Sequence, residues 1–384
     1  MRSLIIGGVL LVAGLVAVAT GLYPATDALA LADRVWPVLL FVVAITVVAE
    51  LAAEAGLFDV VATWSTRAAR GSAWMLWLVT VGVATVSTIF LSLDTTAVLL
   101  TPIVVTMARR VRLDPLPFAL TTVMLANCAS LLLPVSNLTN LLAAQKLDGM
   151  GPGAFIALSW APAIVAVLLP STAIAVIGRR TLAARYVVPP AHSLQDRRLT
   201  AWAVVVVAAL LPALVSGIPV WIPACAAAIV LIAVFAVLRP GALRPGLVPW
   251  STIVFASGLF LAMGALDSLG SRTVLAVLSP SGTSPVDLLR VAGVGVVGAN
   301  AVNNLPAYLA LEPVAAHPLQ LMALLIGVNA GPLITPWASL ATVLWHSRLR
   351  RSGIEVPWGR YMLIGLVVAP VTVVVATLAL TAVH

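Results

Sequence analysis

Polar and acidic residues interrupt the long apolar runs of this chain, and the interruptions occur in both halves. In the first half, LSLDTTAVLLTP (91–102) is followed by LLLPVSNLTNLLA (131–143). In the second half, GANAVNNLPAYLA (298–310) is followed by VNAGPLITPWASLA (328–341). At membrane depth, backbone that leaves the helical pattern is tolerated only where protein or a water-filled cavity surrounds it. Broken segments at matching places in two halves indicate the solute site of a carrier.

Asp94 is the acidic residue of the first interruption, and it precedes Thr95 and Thr96. An ionisable side chain at membrane depth is costly, so its presence favours a functional role. The same residues also suit a helix N-cap, in which the carboxylate accepts from the backbone of the next helix. The two roles are compatible. Asp94 is therefore the candidate proton carrier, and the alternative is that it only caps the second arm of a hairpin.

Amide and hydroxyl side chains surround the prolines of the broken segments. Proline removes a backbone donor, so it ends one half-helix and leaves free carbonyl and N–H groups at the break. Such paired helix ends can bind a small polar solute from two sides. The candidate solute contacts are Asp94, Thr95, Thr96, Asn127, Ser136, Asn137, Asn140, Asn300, Asn303, Asn304, Asn329, Thr335 and Ser339.

Four amides are the strongest of these candidates. Asn137 and Asn140 follow the proline of the first break, and Asn303 and Asn304 occupy the second interruption. Two adjacent buried amides are costly without hydrogen-bond partners, which favours a polar ligand beside Asn303 and Asn304. The alternative is that the amides only satisfy the broken backbone.

The composition is that of a membrane protein. The chain is 62% hydrophobic and 9% charged, outside the range of soluble domains. Its net charge of +8 comes from arginines in short loops between apolar runs, which is the positive-inside pattern and not a nucleic-acid surface. The histidines and cysteines have no metal-ligand spacing, and no nucleotide-binding or hydrolase motif is present. We therefore expect no enzyme activity, cofactor or metal.

The apolar runs and the arginines together predict a topology. We predict spans at 4–22, 36–54, 155–177, 201–217, 219–238, 250–268 and 359–381, and broken spans at 117–147 and 319–347. The cytoplasmic loops would carry Arg67, Arg70, Arg109, Arg110, Arg112, Arg179, Arg180, Arg185, Arg197, Arg198, Arg239, Arg244, Arg348, Arg350 and Arg351. Loops around 23–35, 148–154 and 269–285 are poor in basic residues. This distribution places the N-terminus in the cytoplasm.

The same count requires that segment 73–108 enters and returns on one side, as a hairpin with its tip at Ser92–Thr96. Residues 57–71 before it form an amphipathic surface helix. The second half repeats this order with a short segment at 269–284 and a hairpin at 286–315.

The predicted fold is an all-α polytopic membrane protein with two inverted repeats. Each repeat has a re-entrant hairpin and a broken span. The repeats are 1–178 and 219–384, joined by a cytoplasmic loop and linker span at 179–218.

The broken segments resemble those of the bacterial arsenite efflux permeases. GPLITPWASLATVLWHSRLRRSG (331–353) is similar to the C-terminal end of that family. LDTTAVLLTPIV, VSNLTNLL and VNNLPAYL are similar to its first hairpin tip, first broken helix and second hairpin tip. The resemblance covers about 35–381. It implies a bacterial inner-membrane protein that exports arsenite and antimonite, as neutral trihydroxides, in exchange for protons.

One departure concerns the coupling. The family has an aspartate before each break, where this chain has Asn127 and Asn329. If proton exchange is kept, Asp94 is the main carboxylate left to carry it.

Three other functions stay open. The chain could exchange sodium for protons, or it could carry a dicarboxylate, although an aspartate at the hairpin tip would repel such a solute. It could also be the membrane subunit of a pump driven by a soluble ATPase, with the arginine-rich 178–200 loop as the docking surface. In every case membrane lipid surrounds the chain. Access would alternate by an elevator or rocking movement of the hairpins and broken helices.

Overall fold

The computed structural model describes residues 2–147, 152–188, 196–270 and 282–384. Across these ranges the chain is helical, and its one β-type contact is an isolated bridge between Ser72 and Arg185. The α-helices are α1 (Arg2–Ala19), α2 (Ala25–Glu54), α3 (Leu57–Ala68), α4 (Ala73–Leu91), α5 (Leu93–Thr95), α6 (Thr101–Arg110), α7 (Leu116–Cys128), α8 (Leu138–Lys146), α9 (Pro152–Ile177), α10 (Arg179–Leu182), α11 (Arg197–Ala213), α12 (Trp221–Leu238), α13 (Trp250–Ser268), α14 (Pro285–Ala301), α15 (Asn304–Leu311), α16 (Pro318–Ala330), α17 (Leu340–Arg351) and α18 (Trp358–Val383).

Six of these helices are long and apolar enough to cross a membrane, namely α2, α4, α9, α12, α13 and α18. The predicted all-α polytopic class is thereby confirmed. The start of α2 differs from prediction, because the helix begins at Ala25 and not at 36. Pro24 precedes it and Asp27 lies in its first turn, and both favour a helix start there. The predicted loop at 23–35 is therefore mostly helix.

Parts of the prediction lie outside the described residues. These are positions 148–151 of the predicted loop 148–154, positions 189–195 of the predicted cytoplasmic loop and linker span 179–218, and positions 271–281 of the predicted segment 269–284. The predicted amphipathic helix 57–71 is present as α3.

The first hairpin turns at the predicted place. Helix α4 ends before Ser92, whose φ of 92° and ψ of 159° reverse the chain. The two arms are joined by a hydrogen bond that Thr96 Oγ1 donates to Ser87 Oγ at 2.9 Å. The second arm runs through α5, a π-helical turn at Thr96–Leu100, and α6. The irregular turn widens the helix directly after the tip, as π-turns often do beside functional sites.

The second hairpin is formed by α14 and α15, and it turns at Asn303, which has a φ of 151°. Its arms approach closely because Gly298 has no side chain; a β-carbon there would lie 3.2 Å from that of Ala307. A 3₁₀ turn at Glu312–Val314 ends the second arm.

Both broken helices are present. In the first, α7 is followed by 3₁₀ turns at Ala129–Leu131 and Pro134–Ser136 before α8 begins. In the second, α16 is followed by a 3₁₀ turn at Pro336–Ala338 before α17 begins. The proline at the start of a turn in each break removes the donor that would continue the helix.

Helices pair across the two halves of the chain. Helix α1 packs along α13 and α2 along α12, while α9 packs along α18. Gly7 and Gly258 allow the close approach of α1 to α13, since a β-carbon at Gly258 would lie 2.3 Å from the carbonyl oxygen of Gly7. Small residues at such contacts are typical of membrane helices. The first helix of one half thus packs on the second helix of the other half, and the reverse pair packs likewise. Such reciprocal pairs are expected if the two halves are related by a two-fold axis. The inverted repeat and its boundaries at 1–178, 179–218 and 219–384 stay predictions.

Candidate functional site

A cavity of about 90 Å³ lies where both hairpin tips and both breaks meet α2 and α13. Phe41 and Thr46 of α2, with Thr252 and Phe255 of α13, form one wall. The polar side of the cavity is formed by Ser92, Asp94, Asn137, Asn303, Asn304 and Ser339. Among the described residues that line it, Asp94 is the one ionisable side chain. Leucine and valine side chains of the same tips and breaks, among them Leu93, Val135 and Leu340, also line the cavity. The small cavity is therefore largely apolar, and it has a few polar side chains at the tips and breaks.

Asp94 lies in the first turn of the second hairpin arm and is half-buried. The alternative that Asp94 is the N-cap is wrong, because Ser92 is the capping residue and its Oγ accepts from the backbone N of Thr95 at 3.5 Å. Within the part of the chain that the structure describes, no hydrogen bond or ion pair joins the Asp94 carboxyl group to another residue. The carboxyl group is therefore available to a solute or a proton in the cavity.

The two threonines after Asp94 serve the hairpin itself. Thr95 Oγ1 donates to the carbonyl oxygen of Leu91 at 2.7 Å. Thr96 Oγ1 donates to Ser87 and accepts from Thr88 Oγ1 at 2.9 Å. Neither threonine lines the cavity. Their hydroxyls hold the two arms at the spacing that presents Asp94.

Asn137 begins the second half of the first broken helix. Its Oδ1 accepts from the backbone N of Thr139 at 3.4 Å, so it is the N-cap of α8. Its Nδ2 donates to Asn329 Oδ1 at 2.8 Å. Asn140, one turn later, donates to the carbonyl oxygen of Ser130 at 2.6 Å and lies behind the cavity. Ser136 likewise donates to a backbone carbonyl of its own break.

The two asparagines that precede the breaks lie against the opposite broken helix. Asn329 Nδ2 donates to Asn140 Oδ1 at 2.7 Å, and Asn329 Oδ1 also accepts from Thr139 Oγ1 at 3.1 Å. Asn127 Nδ2 donates to the carbonyl oxygen of Val123 at 3.0 Å and to Thr342 Oγ1 at 3.4 Å. These amides connect the two breaks at the centre of the molecule.

The second hairpin tip is tied to the second break. Asn300 Nδ2 donates to the carbonyl oxygen of Gly331 at 2.9 Å, and its Oδ1 accepts from the backbone N of Thr335 at 2.9 Å. Asn303 Nδ2 donates to the carbonyl oxygen of Trp337 at 2.8 Å. Asn304 is buried and Asn303 is half-buried. The expectation of two fully buried adjacent amides is thus met by Asn304 alone.

The structure brings five of the predicted residues to the cavity wall, and these are Asp94, Asn137, Asn303, Asn304 and Ser339. The others lie behind them: Thr95, Thr96, Asn127, Ser136, Asn140, Asn300, Asn329 and Thr335. Solute contact by any of these residues stays a prediction. Thr46 and Thr252 also line the cavity but were not predicted, because a lone threonine in an apolar span is common. Over the described residues, no cluster of three His, Cys, Asp or Glu side chains could hold a metal ion.

The membrane-spanning helices, paired breaks and central cavity define a membrane transporter. The chain belongs to the CitMHS family, described as citrate transporters, which matches residues 2–320. This family consists of carriers and not of enzymes.

Two relatives match nearly the whole chain. Arsenical pump membrane proteins of Yersinia enterocolitica and Escherichia coli K12 are each 28% identical, over 396 and 398 residues. The alignments cover 95% of this chain and 91% of each relative. The predicted resemblance to arsenite efflux permeases is confirmed at the level of the family.

A solved structure has a similar fold. The YdaH transporter of Alcanivorax borkumensis, whose crystal structure has an unusual topology, matches 96% of this chain and 87% of its own with a TM-score of 0.61. At 17% identity this likeness concerns the fold alone.

Proposed function

We propose that this protein exports arsenite and antimonite, as neutral trihydroxides, in exchange for protons. The observation that carries the proposal is the chemistry of the cavity, which combines amides and hydroxyls with the unpaired carboxyl group of Asp94. Each hydroxyl of a trihydroxide both donates and accepts, so amide and hydroxyl side chains complement it without a formal charge. The arsenical pump relatives support the same solute.

The size of the cavity supports a small inorganic solute. Its volume of about 90 Å³ is well below the roughly 300–1,000 Å³ of pockets that hold drug-sized ligands. Buried polar groups without partners are costly, so a solute that satisfies them gains affinity.

Asp94 is the proposed proton carrier. Its carboxyl group shares the cavity with the solute site, so protonation and solute binding can exclude or favour each other directly. Solute exchange for protons requires such a link, because a coupling free energy must act between the two binding events. Asn127 and Asn329 replace the carboxylates expected from the resembled family, which leaves this role to Asp94.

The proposed movement follows from the position of the cavity between two sets of elements. One wall belongs to the continuous helices α2 and α13, and the other belongs to the hairpin tips and breaks. Sliding or rocking of the second set against the first would expose the cavity to alternate sides. The arginine distribution supports an inner-membrane protein of bacteria with a cytoplasmic N-terminus.

A tricarboxylate or dicarboxylate is the second candidate solute, because the family is described as citrate transporters. The lining argues against it. No Lys, Arg or His is among the described residues that line the cavity, and Asp94 would face the anion. Like charges repel strongly where water is scarce. Sodium exchange and a soluble ATPase partner remain alternatives without an observation that favours them.

Uptake of radiolabelled solutes distinguishes the candidates. Everted vesicles from a bacterial host without its own arsenic exporters are energised with a proton gradient and given arsenite, antimonite or citrate. We expect accumulation of arsenite and antimonite but not of citrate. Citrate accumulation without arsenite accumulation would move the assignment to an organic-anion carrier.

A further inference from the structure

Two enclosed polar atoms of the broken helices have no hydrogen-bond partner among the described residues, namely Asn127 Oδ1 and Ser339 Oγ. Both residues are almost completely buried, with 1% and 0% of their surface exposed. Buried polar atoms are normally paired, so each exception calls for a physical explanation. Asn127 Oδ1 can only accept a hydrogen bond, whereas Ser339 Oγ can donate one.

The two breaks have the same register of polar residues. Asn127 lies ten residues before Asn137, and Asn329 lies ten before Ser339. Each asparagine donates to the residue three positions after the N-cap residue of the opposite half-helix. Asn329 donates to Asn140 at 2.7 Å, and Asn127 donates to Thr342 at 3.4 Å. The two arrangements are therefore directly comparable.

The side-chain amide of Asn329 has hydrogen-bond partners for both its nitrogen and its oxygen. Its Oδ1 accepts from Asn137 Nδ2 at 2.8 Å and from Thr139 Oγ1 at 3.1 Å. The amide of Asn329 is thus satisfied on both sides by the protein itself.

The side-chain amide of Asn127 has partners for its nitrogen but not for its oxygen. The positions that correspond to Asn137 and Thr139 hold Ser339 and Ala341. The serine side chain is shorter than the asparagine side chain, and alanine has no hydroxyl. Asn127 Oδ1 consequently lacks both donors that its counterpart has.

The side chain of Ser339 also does not cap the helix that follows it. Ser339 is the N-cap of α17, yet its side chain makes no capping hydrogen bond. A serine at an N-cap normally accepts from the backbone of the following turn. Residues three apart at a helix start lie on one face, so Ser339 lies beside Thr342, which Asn127 contacts. Ser339 also lines the cavity that contains Asp94.

We infer that Asn127 Oδ1 and Ser339 Oγ form a subsite that binds one hydroxyl group of the transported solute. This subsite lies at the back of the cavity, where Ser339 lines the wall and Asn127 lies behind it. This inference rests on the proposed function and specifies its chemistry. A hydroxyl donates to Asn127 Oδ1 and accepts from Ser339 Oγ, so it satisfies both atoms together. A carboxylate oxygen has no proton for Asn127 Oδ1. A hard cation collects about six or more oxygen ligands, which exceeds what two atoms supply.

The substitution Ser339→Asn tests the subsite. It places at position 339 the same side chain as Asn137, so its amide can donate to Asn127 Oδ1 as Asn137 donates to Asn329 Oδ1. We expect it to raise the melting temperature of the purified protein in detergent without solute. We also expect it to abolish the increase in melting temperature that arsenite produces in the wild-type protein. Uptake into vesicles should fall about tenfold or more, the factor that corresponds to about 1.4 kcal/mol of lost binding.

Ser171→Ala is the matched control. Ser171 Oγ is another buried hydroxyl without a partner, but it lies in α9 and does not line the cavity. Removal of this hydroxyl should leave unchanged both arsenite uptake and the increase in melting temperature that arsenite produces. A Ser339→Asn protein that melts no higher than wild type, or that keeps its response to arsenite, overturns the inference.

Boric acid, a second neutral trihydroxide, separates failure of the subsite from failure of the proposed solute. If arsenite neither stabilises the wild type nor accumulates in vesicles, the proposed function fails. A boric acid response that disappears in Ser339→Asn then still supports a hydroxyl subsite. Absence of a response to either trihydroxide overturns it.

Discussion

Asn329 Nδ2 donates to Asn140 Oδ1 at 2.7 Å, although the two residues are 189 positions apart in the chain. The bond joins the first half of one broken helix to the second half of the other. An amide can donate and accept at once, and Asn329 does both, because its Oδ1 accepts from Asn137. A carboxylate at this position would lose the donor. Hydrogen bonds between neutral amides thus connect the two broken helices at the centre of the molecule. The carboxyl group of Asp94 lines the cavity and takes no part in these bonds.

Replacement of these two asparagines should have unequal effects on stability. Asn329→Leu leaves Asn137, Thr139 and Asn140 without their buried partner, and each such loss costs about 1–3 kcal/mol. Asn127→Leu removes an amide whose oxygen is already unpaired, so we expect a cost below about 1 kcal/mol. Denaturant unfolding of the two purified variants measures the difference. Equal destabilisation would contradict the described hydrogen-bond network.

The tip of the first hairpin stores backbone strain at Ser92. Its φ of 92° with a ψ of 159° is a conformation that is natural only for glycine, and it costs other residues about 1–3 kcal/mol. Ser92→Gly should therefore keep or increase thermal stability, despite the loss of a long capping bond. Ser92→Val should lower stability and uptake together, because a β-branched residue resists this conformation. If valine is tolerated as well as glycine, the tip does not have this backbone.

Contact between α1 and α13 depends on glycine. Gly258→Ala should destabilise the protein by about 1–3 kcal/mol, because the new methyl group meets the backbone of Gly7. Gly8→Ala is the control, since a β-carbon there has no neighbour within 4 Å and alanine favours a helix. Melting temperatures of the two variants in one detergent provide the comparison. A neutral Gly258→Ala would place α1 elsewhere.

The ion pair of Arg34 and Glu312, in which only the glutamate is buried, joins α2 to the end of the second hairpin. Glu312 is 6% exposed in its side chain and Arg34 is 38% exposed. Arg34→Gln should cost about 3–5 kcal/mol, because it leaves the Glu312 carboxylate buried without its cation. Glu312→Gln should cost less, since the more exposed Arg34 can reach water.

A second ion pair is the control for that prediction. Arg239 and Glu54 lie 3.1 Å apart, and both side chains are well exposed, at 44% and 38%. Arg239→Gln should change the unfolding free energy by about 1 kcal/mol or less. If Arg34→Gln and Arg239→Gln destabilise the protein equally, the Glu312 carboxylate is not buried.

The breaks and hairpins could be predicted because their signals are local. Pro134 and Pro336 cannot continue a helix, and the polar residues around Ser92 and Asn303 cannot lie in an uninterrupted apolar span. The hydrogen bonds between the breaks could not be predicted in this way. A single sequence does not reveal which distant amides meet.

The wall formed by the continuous spans could not be predicted either. Thr46 lines the cavity, yet its hydroxyl donates to the carbonyl oxygen of Val42, as any threonine in an apolar helix can do. The capping alternative for Asp94 was wrong, and its role as proton carrier stays a prediction. Its position beside a helix start suggested capping, but Ser92, two residues earlier at the reversal itself, takes that role.

Proton-driven arsenite accumulation in everted vesicles, with and without Asp94→Asn, tests the central claim most directly. Wild-type vesicles should accumulate arsenite only when a proton gradient is imposed. Asp94→Asn should abolish this gradient-driven accumulation at equal protein abundance in the membrane, because the amide cannot carry the exchanged proton. Undiminished gradient-driven accumulation by Asp94→Asn would contradict the account.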